Sequence, residues 1–562
     1  TPQVLAVRGN NTREIGNILV GEVWIASGQS NMERQLGPQA GMKPILNWEQ
    51  EVATANHPEI REFHVQHKRA LAPRDSVGGS WVVCSPGTVG NFSAVGYFFA
   101  RDLLAARKVP VGIIHSSVGN TPAEAWTSEA GLKPLPDFAD ALADVKRFAV
   151  DPDLELRKAQ PDQLAWFEKT DPGSKPGAAW SAADFVPTDW ASMTLPCYLE
   201  QGGYPGLDGI IWFRREFTLP ENWDGGDVQL HLGGIAEMDT TWVNGERVGM
   251  TYVGNKERVY PVPGSLLKRG TNSIAVRVLN ISGNGGLYGG KDEMRGEINT
   301  RGGKASVPLS GSWHCKTTRT MAEIGWPTGA LFENSGLSTG LYNGMISPLL
   351  PYAMRGVIWY QGEANVWRAR QYRTLFPAMI ADWRRAWGQG DFPFLFVQIA
   401  PNRDMTPELR EAQLLTSQHV KNTAMVVTAD CGDANDIHPA NKPPVGARLA
   451  LAARALAYGE RIEYSGPVFD SMKIEGANAV LRFTHLGGGL VAKDGELKGF
   501  TVAGEDKVFH PAQARISSDT VFVRSAEVPR PVAVRYGWAN VPDVNLFNRA
   551  GLPASPFRTD VD

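Results

Sequence analysis

Two separated stretches of this chain, residues 15 to 130 and 345 to 460, share one rhythm: an apolar run, a short loop rich in Gly and Ser, then a helical pattern. The apolar runs are Asn17 to Ala26, Val109 to Ser116, Gly356 to Tyr360, Phe392 to Ile399 and Ala424 to Thr428. Helical periodicity fills Gly96 to Arg107, Gln371 to Trp387, Glu408 to His419 and Pro443 to Tyr458. A strand followed by a helix and another strand calls for a crossover connection, so the expected fold is a parallel sheet covered by helices on both faces. In such a sheet the chemistry collects at the carboxyl ends of the strands.

Between the two stretches the pattern changes. Residues 180 to 310 hold short alternating segments (Ile210 to Thr218, Asp227 to Leu232, Asp239 to Val243, Asn272 to Val278) and few helical periods, the pattern of an inserted all-β domain. Its ends, around Pro172 to Ala178 and Ile298 to Lys304, have linker composition. The β pattern returns from Tyr464 to the end, with the opening residues as a candidate strand of that last domain because chain termini often meet. The expected division is therefore 15–175 with 305–463 as one discontinuous α/β domain, 176–304 as the insert, and 464–562 with 1–14 as a C-terminal β domain.

A chain of 562 residues is too long for one core, and its 43% apolar and 20% charged residues are those of a globular protein. No run approaches the roughly 18 apolar residues of a membrane span. With a net charge of -3 and no dense Lys/Arg cluster, nucleic acid is not an expected partner. Four scattered cysteines without a CxxC pair argue against a zinc knuckle, and Cys197 with Cys315 is the candidate disulfide. The numbered chain starts at Thr1 without a signal peptide and reads as a processed form. Seventeen tryptophans with 60 glycines and 38 prolines favour loop-rich β architecture with aromatic surfaces suited to sugar rings.

Four strand ends carry polar clusters. The first is Gly28-Gln29-Ser30-Asn31, where glycine permits a sharp turn and lifts a serine to the sheet edge. The second is Gly119-Asn120-Thr121-Pro122, with backbone N–H groups beside a helix start. The third is Gln361-Gly362-Glu363-Ala364-Asn365, and the fourth runs from Asp430 through Asp433 and Asp436 to His438. Each alone reads as a cap or a turn. Together they hold a hydroxyl nucleophile, an imidazole base, carboxylates to orient it and amide donors for an oxyanion, the parts of acyl transfer. Of the other histidines His115 comes closest, but it lies inside a strand and reads as buried and satisfied.

The segments "GEVWIASGQSNM", "IIHSSVGNTPAEAW", "GVIWYQGEANV" and "NDIHPANKPPVGARLALAARALAYG" resemble, in order, four blocks of the sialate O-acetylesterase branch of the SGNH hydrolases. The likeness spans roughly residues 15 to 130 and 345 to 460 and extends loosely to "YGWANVPDVNLFNRAGLPASPF". It implies a flavodoxin-like α/β/α catalytic domain, no metal or other cofactor, and hydrolysis of acetyl esters on a carbohydrate substrate, in a periplasmic or secreted setting. By position it makes Ser30 the nucleophile, His438 the base, and the Ser30 N–H, the Gly119 N–H and the Gln361 side chain the oxyanion donors, with Asn365 a weaker candidate donor and Asn120 a further site candidate. The wider superfamily has its acid three residues before the histidine, where this chain has Asn435. Asp436 is the first choice for the acid, ahead of Asp433 and Asp430. Glu363 is a candidate to orient His438 or Gln361, or to bind substrate.

The insert resembles the sugar-binding jelly roll of β-galactosidase-like glycosidases in "IIWFRREFTLPENW", "LHLGGIAEMDTTWVNGERVG" and "LLKRGTNSIAVRVLN". Its acids Asp239 and Glu237 read as structural, and no glycosidase carboxylate pair is recognisable. A jelly roll set between two halves of a catalytic sheet resembles acetylesterases of plant cell-wall polysaccharide, xyloglucan included. Three readings follow: a carbohydrate O-acetylesterase acting on such polymers or on 9-O-acetylated sialate, a non-catalytic carbohydrate-binding protein on a hydrolase scaffold, and a glycosidase with its site in the insert.

Overall fold

The computed structural model describes residues 2–39, 42–175, 178, 180–235, 237–251, 256–281, 285–324, 336–350 and 352–560. The chain divides into two compact units, Thr1–Lys146 with Ser335–Asp562, and Arg147–Asn334.

The centre of the first unit is a seven-stranded sheet of β1 (Glu22–Gly28), β2 (His57–His64), β3 (Trp81–Cys84), β4 (Val111–Ser117), β5 (Gly356–Tyr360), β6 (Phe394–Val397) and β7 (Thr423–Val426). Their order is β7-β6-β5-β1-β4-β2-β3, and every pair is parallel except the edge pair β2 and β3. Strand side chains alternate between faces, and both faces are buried. Ile25, Ile114 and Trp359 point into one core with Phe376 and Trp383, while Trp24, Ala26, Ile113 and Ile358 point into the other with Phe98 and Leu449. Helices α1 (Ser30–Glu33), α2 (Ala94–Arg107), α3 (Ala369–Trp387), α4 (Pro407–His419) and α5 (Pro443–Leu456) complete the three-layer domain. The first core holds residues of α3 and α4, the second residues of α2 and α5.

Strand β1 lies between β4 and β5, with Gly28 in register with both Ser117 and Tyr360. The loops that follow these three strands therefore leave the sheet side by side and at one level. This is the topological crevice where open α/β sheets hold their ligands.

The C-terminal β domain is part of the same unit. Its strands, among them Asn478–Thr484, Thr520–Arg524 and Ala533–Tyr536, contribute Leu481, Val523 and Val534 to the core that includes Trp359 and Phe376. The opening residues do not join it: Gln3–Arg8 pairs with Thr12–Ile18 as a local hairpin of exposed residues. A tight turn with Gly9 N–H on Asn11 O makes that pairing the nearest one to hand.

The insert is a sandwich of two antiparallel sheets, one centred on Val228–Ile235 and the other on Gly209–Leu219 and Gly270–Asn280, with Phe213, Leu230, Val276 and Trp313 in its core. It is larger than its linker-like ends suggest. Gly311–Thr320, placed in the catalytic domain by composition, pairs with both Gly209–Leu219 and Ala191–Leu195. The helix Pro152–Thr170 contributes Phe167 to a cluster with Trp212 and Met238. The unit boundaries thus fall where packing changes, not where Gly and Pro are dense. All four thiols are free, so the expected Cys197–Cys315 disulfide is not formed; Cys315 is buried against the Tyr204 hydroxyl at 3.5 Å.

Candidate active site

Ser30 opens α1 immediately after β1, and the turn that puts it there depends on Gly28. Its φ is 135°, and a Cβ would lie 2.1 Å from the Tyr360 carbonyl oxygen, so only glycine fits. The Gln29 N–H donates to that same carbonyl at 2.9 Å, tying the turn to the end of β5.

His438 reaches the serine from the loop after β7, its Nε2 2.8 Å from Ser30 Oγ. Burial, aided by the Lys442 ammonium, lowers the imidazole to about 4, so it is a neutral acceptor at physiological pH. The geometry of a base on a nucleophile is present.

The three candidate acids go to different places. Asp436 accepts the backbone N–H of His438 at 2.8 Å, and its carboxylate lies 3.9 Å from Nδ1, beyond hydrogen-bond range. Asp430 is taken up by Arg448 in a two-pronged pair of 2.7 and 2.6 Å; burial raises its pKa, but that pair brings it below the ordinary range. Asp433 is ion-paired with Lys43 at the surface. Neither Asp430 nor Asp433 addresses His438.

The donors also differ from expectation. Gly119 N–H is near Ser30, but it donates at 2.6 Å to Glu33 Oε2 from the last residue of α1. Glu33 Oε1 in turn lies 3.1 Å from His67 Nε2. Gln361, the expected side-chain donor, is fully buried and engaged: its amide donates to Thr121 O at 3.2 Å and Asn365 Oδ1 at 2.7 Å, while its oxygen accepts Tyr372 Oη–H at 3.0 Å. Its carboxamide has no hydrogen left for the cleft. Asn365 is also buried and engaged, donating to Glu124 at 3.0 Å and accepting from Ala123 N–H and the Gln361 amide. Asn120 is exposed, with a positive φ of 57°.

Glu363 is buried behind the nucleophile, where burial raises its pKa. It accepts Asn31 Nδ2 at 2.7 Å through Oε1, and Oε2 has no hydrogen-bond partner among the described residues. Among the described residues its hydrogen bond goes to Asn31 and not to His438 or Gln361. Asn31 Nδ2 also donates to Ile437 O at 3.0 Å, its oxygen accepts the Lys442 ammonium, and Arg34 donates to His438 O. Arg34 and Lys442 are the site residues that the sequence reasoning missed, and Asn31, expected among the amides serving an oxyanion, has its amide hydrogens on Glu363 and Ile437 O instead. For Lys442 a faint signal existed: a cation immediately before the two prolines that open α5 opposes the helix dipole, so it needs another reason to be there.

His115 is buried in β4, between Glu62 at 3.3 Å and Ser117 Oγ at 2.6 Å. Glu62, His64 and His115 offer ligand atoms within 4.8 Å of one another, the one group among the described residues with the donor chemistry for a metal.

A mainly parallel sheet between two helical layers, with a serine–histidine pair at the end of its central strand, resembles the α/β serine hydrolases in fold and site geometry. Comparison with known proteins narrows that class. Residues 324–455 match the family model of carbohydrate esterase, sialic acid-specific acetylesterase, and residues 210–272 match that of the β-galactosidase galactose-binding domain. A sialate O-acetylesterase from Rattus norvegicus is 25% identical over 511 residues, which cover 85% of this chain and 64% of that protein. The Homo sapiens sialate O-acetylesterase is 32% identical over 254 residues, 39% of this chain and 48% of that protein. The chain thus spans about half the length of the curated relatives it matches at higher identity. A solved carbohydrate acetylesterase from Xanthomonas citri aligns over 100% of this chain and 85% of its own, with a TM-score of 0.61 and 29% identity. In domain composition the chain is similar to sialate O-acetylesterases and to a carbohydrate acetylesterase, with a segment matching the β-galactosidase galactose-binding domain set between the two parts of the α/β unit.

Proposed function

We propose that this protein is a carbohydrate O-acetylesterase working by two-step acyl transfer through Ser30. The observation that carries the reading is the 2.8 Å contact between Ser30 Oγ and His438 Nε2, made by residues from opposite ends of the catalytic domain. His438 takes the hydroxyl proton as Oγ attacks the acetyl carbonyl, and the negative charge develops on the carbonyl oxygen. The N–H groups of Ser30 and Gly119 are the donors for that charge, the second once Glu33 has swung away. The C–O bond to the sugar then breaks, the departing alkoxide takes the proton from His438, and an acetyl-serine remains. Water repeats the cycle in reverse roles and releases acetate. The Asp436 carboxylate, 3.9 Å from Nδ1, favours the transient imidazolium by its charge.

For the substrate we propose acetylated plant cell-wall polysaccharide such as xyloglucan, supported by the galactose-binding-type insert. A polymer of that kind is met outside the cytoplasm, which carries with it a periplasmic or secreted location. The curated relatives favour a second reading, O-acetylated sialate.

Acetate release from acetylated xyloglucan, xylan and sialoglycans, alongside p-nitrophenyl acetate, separates these. Ser30→Ala should lower turnover about 10³-fold or more. Binding of glycan without acetate release would leave a carbohydrate-binding protein, and sugar release without acetate would move the site to the insert.

A further inference from the structure

We infer that Lys442 is a positioning residue: from a fully buried place behind the nucleophile it locks the Asn31 amide, and so holds His438 on Ser30 through the main chain of its loop. The inference rests on the acyl-transfer reading above.

The imidazole lacks the usual orienting partner. Among the described residues no carboxylate is within hydrogen-bond distance of His438 Nδ1, and Asp436 spends its oxygen on the His438 backbone N–H. The loop is gripped instead at three consecutive backbone groups. Ile437 O accepts from Asn31 Nδ2, His438 N–H is held by Asp436, and His438 O accepts from Arg34. A base held this way owes its aim to whatever fixes the grip.

Asn31 is the pivot, because a carboxamide can be turned over and only one of its two orientations presents N–H to the loop. As an ammonium Lys442 can only donate, so it takes the oxygen; the Glu363 carboxylate and Ile437 O can only accept, so they take the two hydrogens. Turning the amide would set a carbonyl oxygen against a carboxylate and an amide N–H against an ammonium. Lys442 and Glu363 thus decide which way Asn31 faces.

The location of Lys442 supports a specific role. Its side chain is 0% exposed, with the ammonium 5.0 Å from the centre of the Tyr360 ring and Glu363 as the counter-charge. Burying a lysine is costly unless partners hold it, and few places in a protein retain one. Burial and Arg34 bring it down to about 7, with Glu363 opposing.

Lys442→Met keeps the length of the side chain and removes the donor. It should lower kcat about 100-fold with KM within about threefold, a position-type loss. The groups facing His438 are Lys442, Arg34, Asp436 and Glu33, and losing the Lys442 cation removes a charge that lowers the imidazole pKa. The titration of His438, read by NMR, and the acid limb of kcat should therefore move up together. Asp436→Asn retains an acceptor for the His438 N–H and should cost about tenfold in kcat, while Asp436→Ala removes the grip and should cost about 100-fold. A triad would instead lose about 10⁴-fold in Asp436→Asn.

The inference is overturned if folded Lys442→Met matches wild type in kcat and in His438 titration, or if Asp436→Asn falls by thousands. Should Lys442→Met fail to fold, the Asp436→Asn and Asp436→Ala pair decides. Rates of Ser30 labelling by a fluorophosphonate provide the same contrasts without any ester turnover. Wild type that labels yet hydrolyses no ester would sink the esterase reading and leave the clamp to be judged on labelling alone.

Discussion

Burial and the Lys442 ammonium bring His438 to about 4, where an unperturbed histidine titrates near 6.5. As the proposed base, His438 works in its neutral form, so activity should be retained as pH falls from 6.5 toward 5 and be lost only as pH passes through the lowered value. A kcat/KM profile on an acetyl ester, followed by acetate release, checks this; an acid limb centred near 6.5 would contradict it. A second prediction concerns Glu33, whose carboxylate holds the Gly119 N–H proposed as an oxyanion donor. Glu33→Ala should raise kcat/KM about three- to tenfold, a fraction of the roughly 10²-fold that one oxyanion donor is worth. A tenfold fall in steady-state assays would show that Glu33 assists the reaction instead. At this scale the residue types were legible and their partners were not. Ser30 and His438 stand out in the sequence as candidates for nucleophile and base, whereas the engagement of Gln361 by Thr121, Asn365 and Tyr372 is set by three segments that meet only in the folded chain.

Among the elements, α2 and α5 cover one face of the sheet at close approach. A Cβ on Gly446 would fall 2.4 Å from Phe98 Cβ and 2.7 Å from Phe99 N. Gly446→Ala should therefore push the two helices apart and destabilise the protein by about 1–3 kcal/mol, read as a lower denaturation midpoint at unchanged slope. Because α5 starts just after Lys442, kcat should fall with it. Helix and strand identities were plain in the periodicity of residues such as Ile25, Ile358 and Phe98, since a period is a local property. The close approach at Gly446 was not, because a helical glycine looks alike whether it faces solvent or a neighbour.

At the scale of the molecule, two compact units have cores of their own, Phe213 and Trp313 in one, Trp359 and Phe376 in the other. Scanning calorimetry should resolve two transitions, and one cooperative transition would show that the units unfold as one. The C-terminal β domain is a different case. Buried Arg410 of α4 donates to Ala539 O and Asn540 O, and Gln398 donates to Ser555 Oγ. Truncation before residue 464 should leave Arg410 without those acceptors and expose the shared core, giving insoluble protein on expression; a soluble, active truncation would disprove that dependence.

The amino-acid sequence by itself determined the strand–helix rhythm, the all-β insert and the four polar strand ends, because periodicity, glycine at turns and residue chemistry act over a few neighbouring positions. Tertiary structure decided the rest: that Asp436 holds a backbone N–H, that Glu33 covers Gly119, that Lys442 is buried behind Asn31, and that the insert runs from 147 to 334. Those outcomes depend on which donor meets which acceptor once distant segments pack, and on the cost of leaving any buried polar group unpaired.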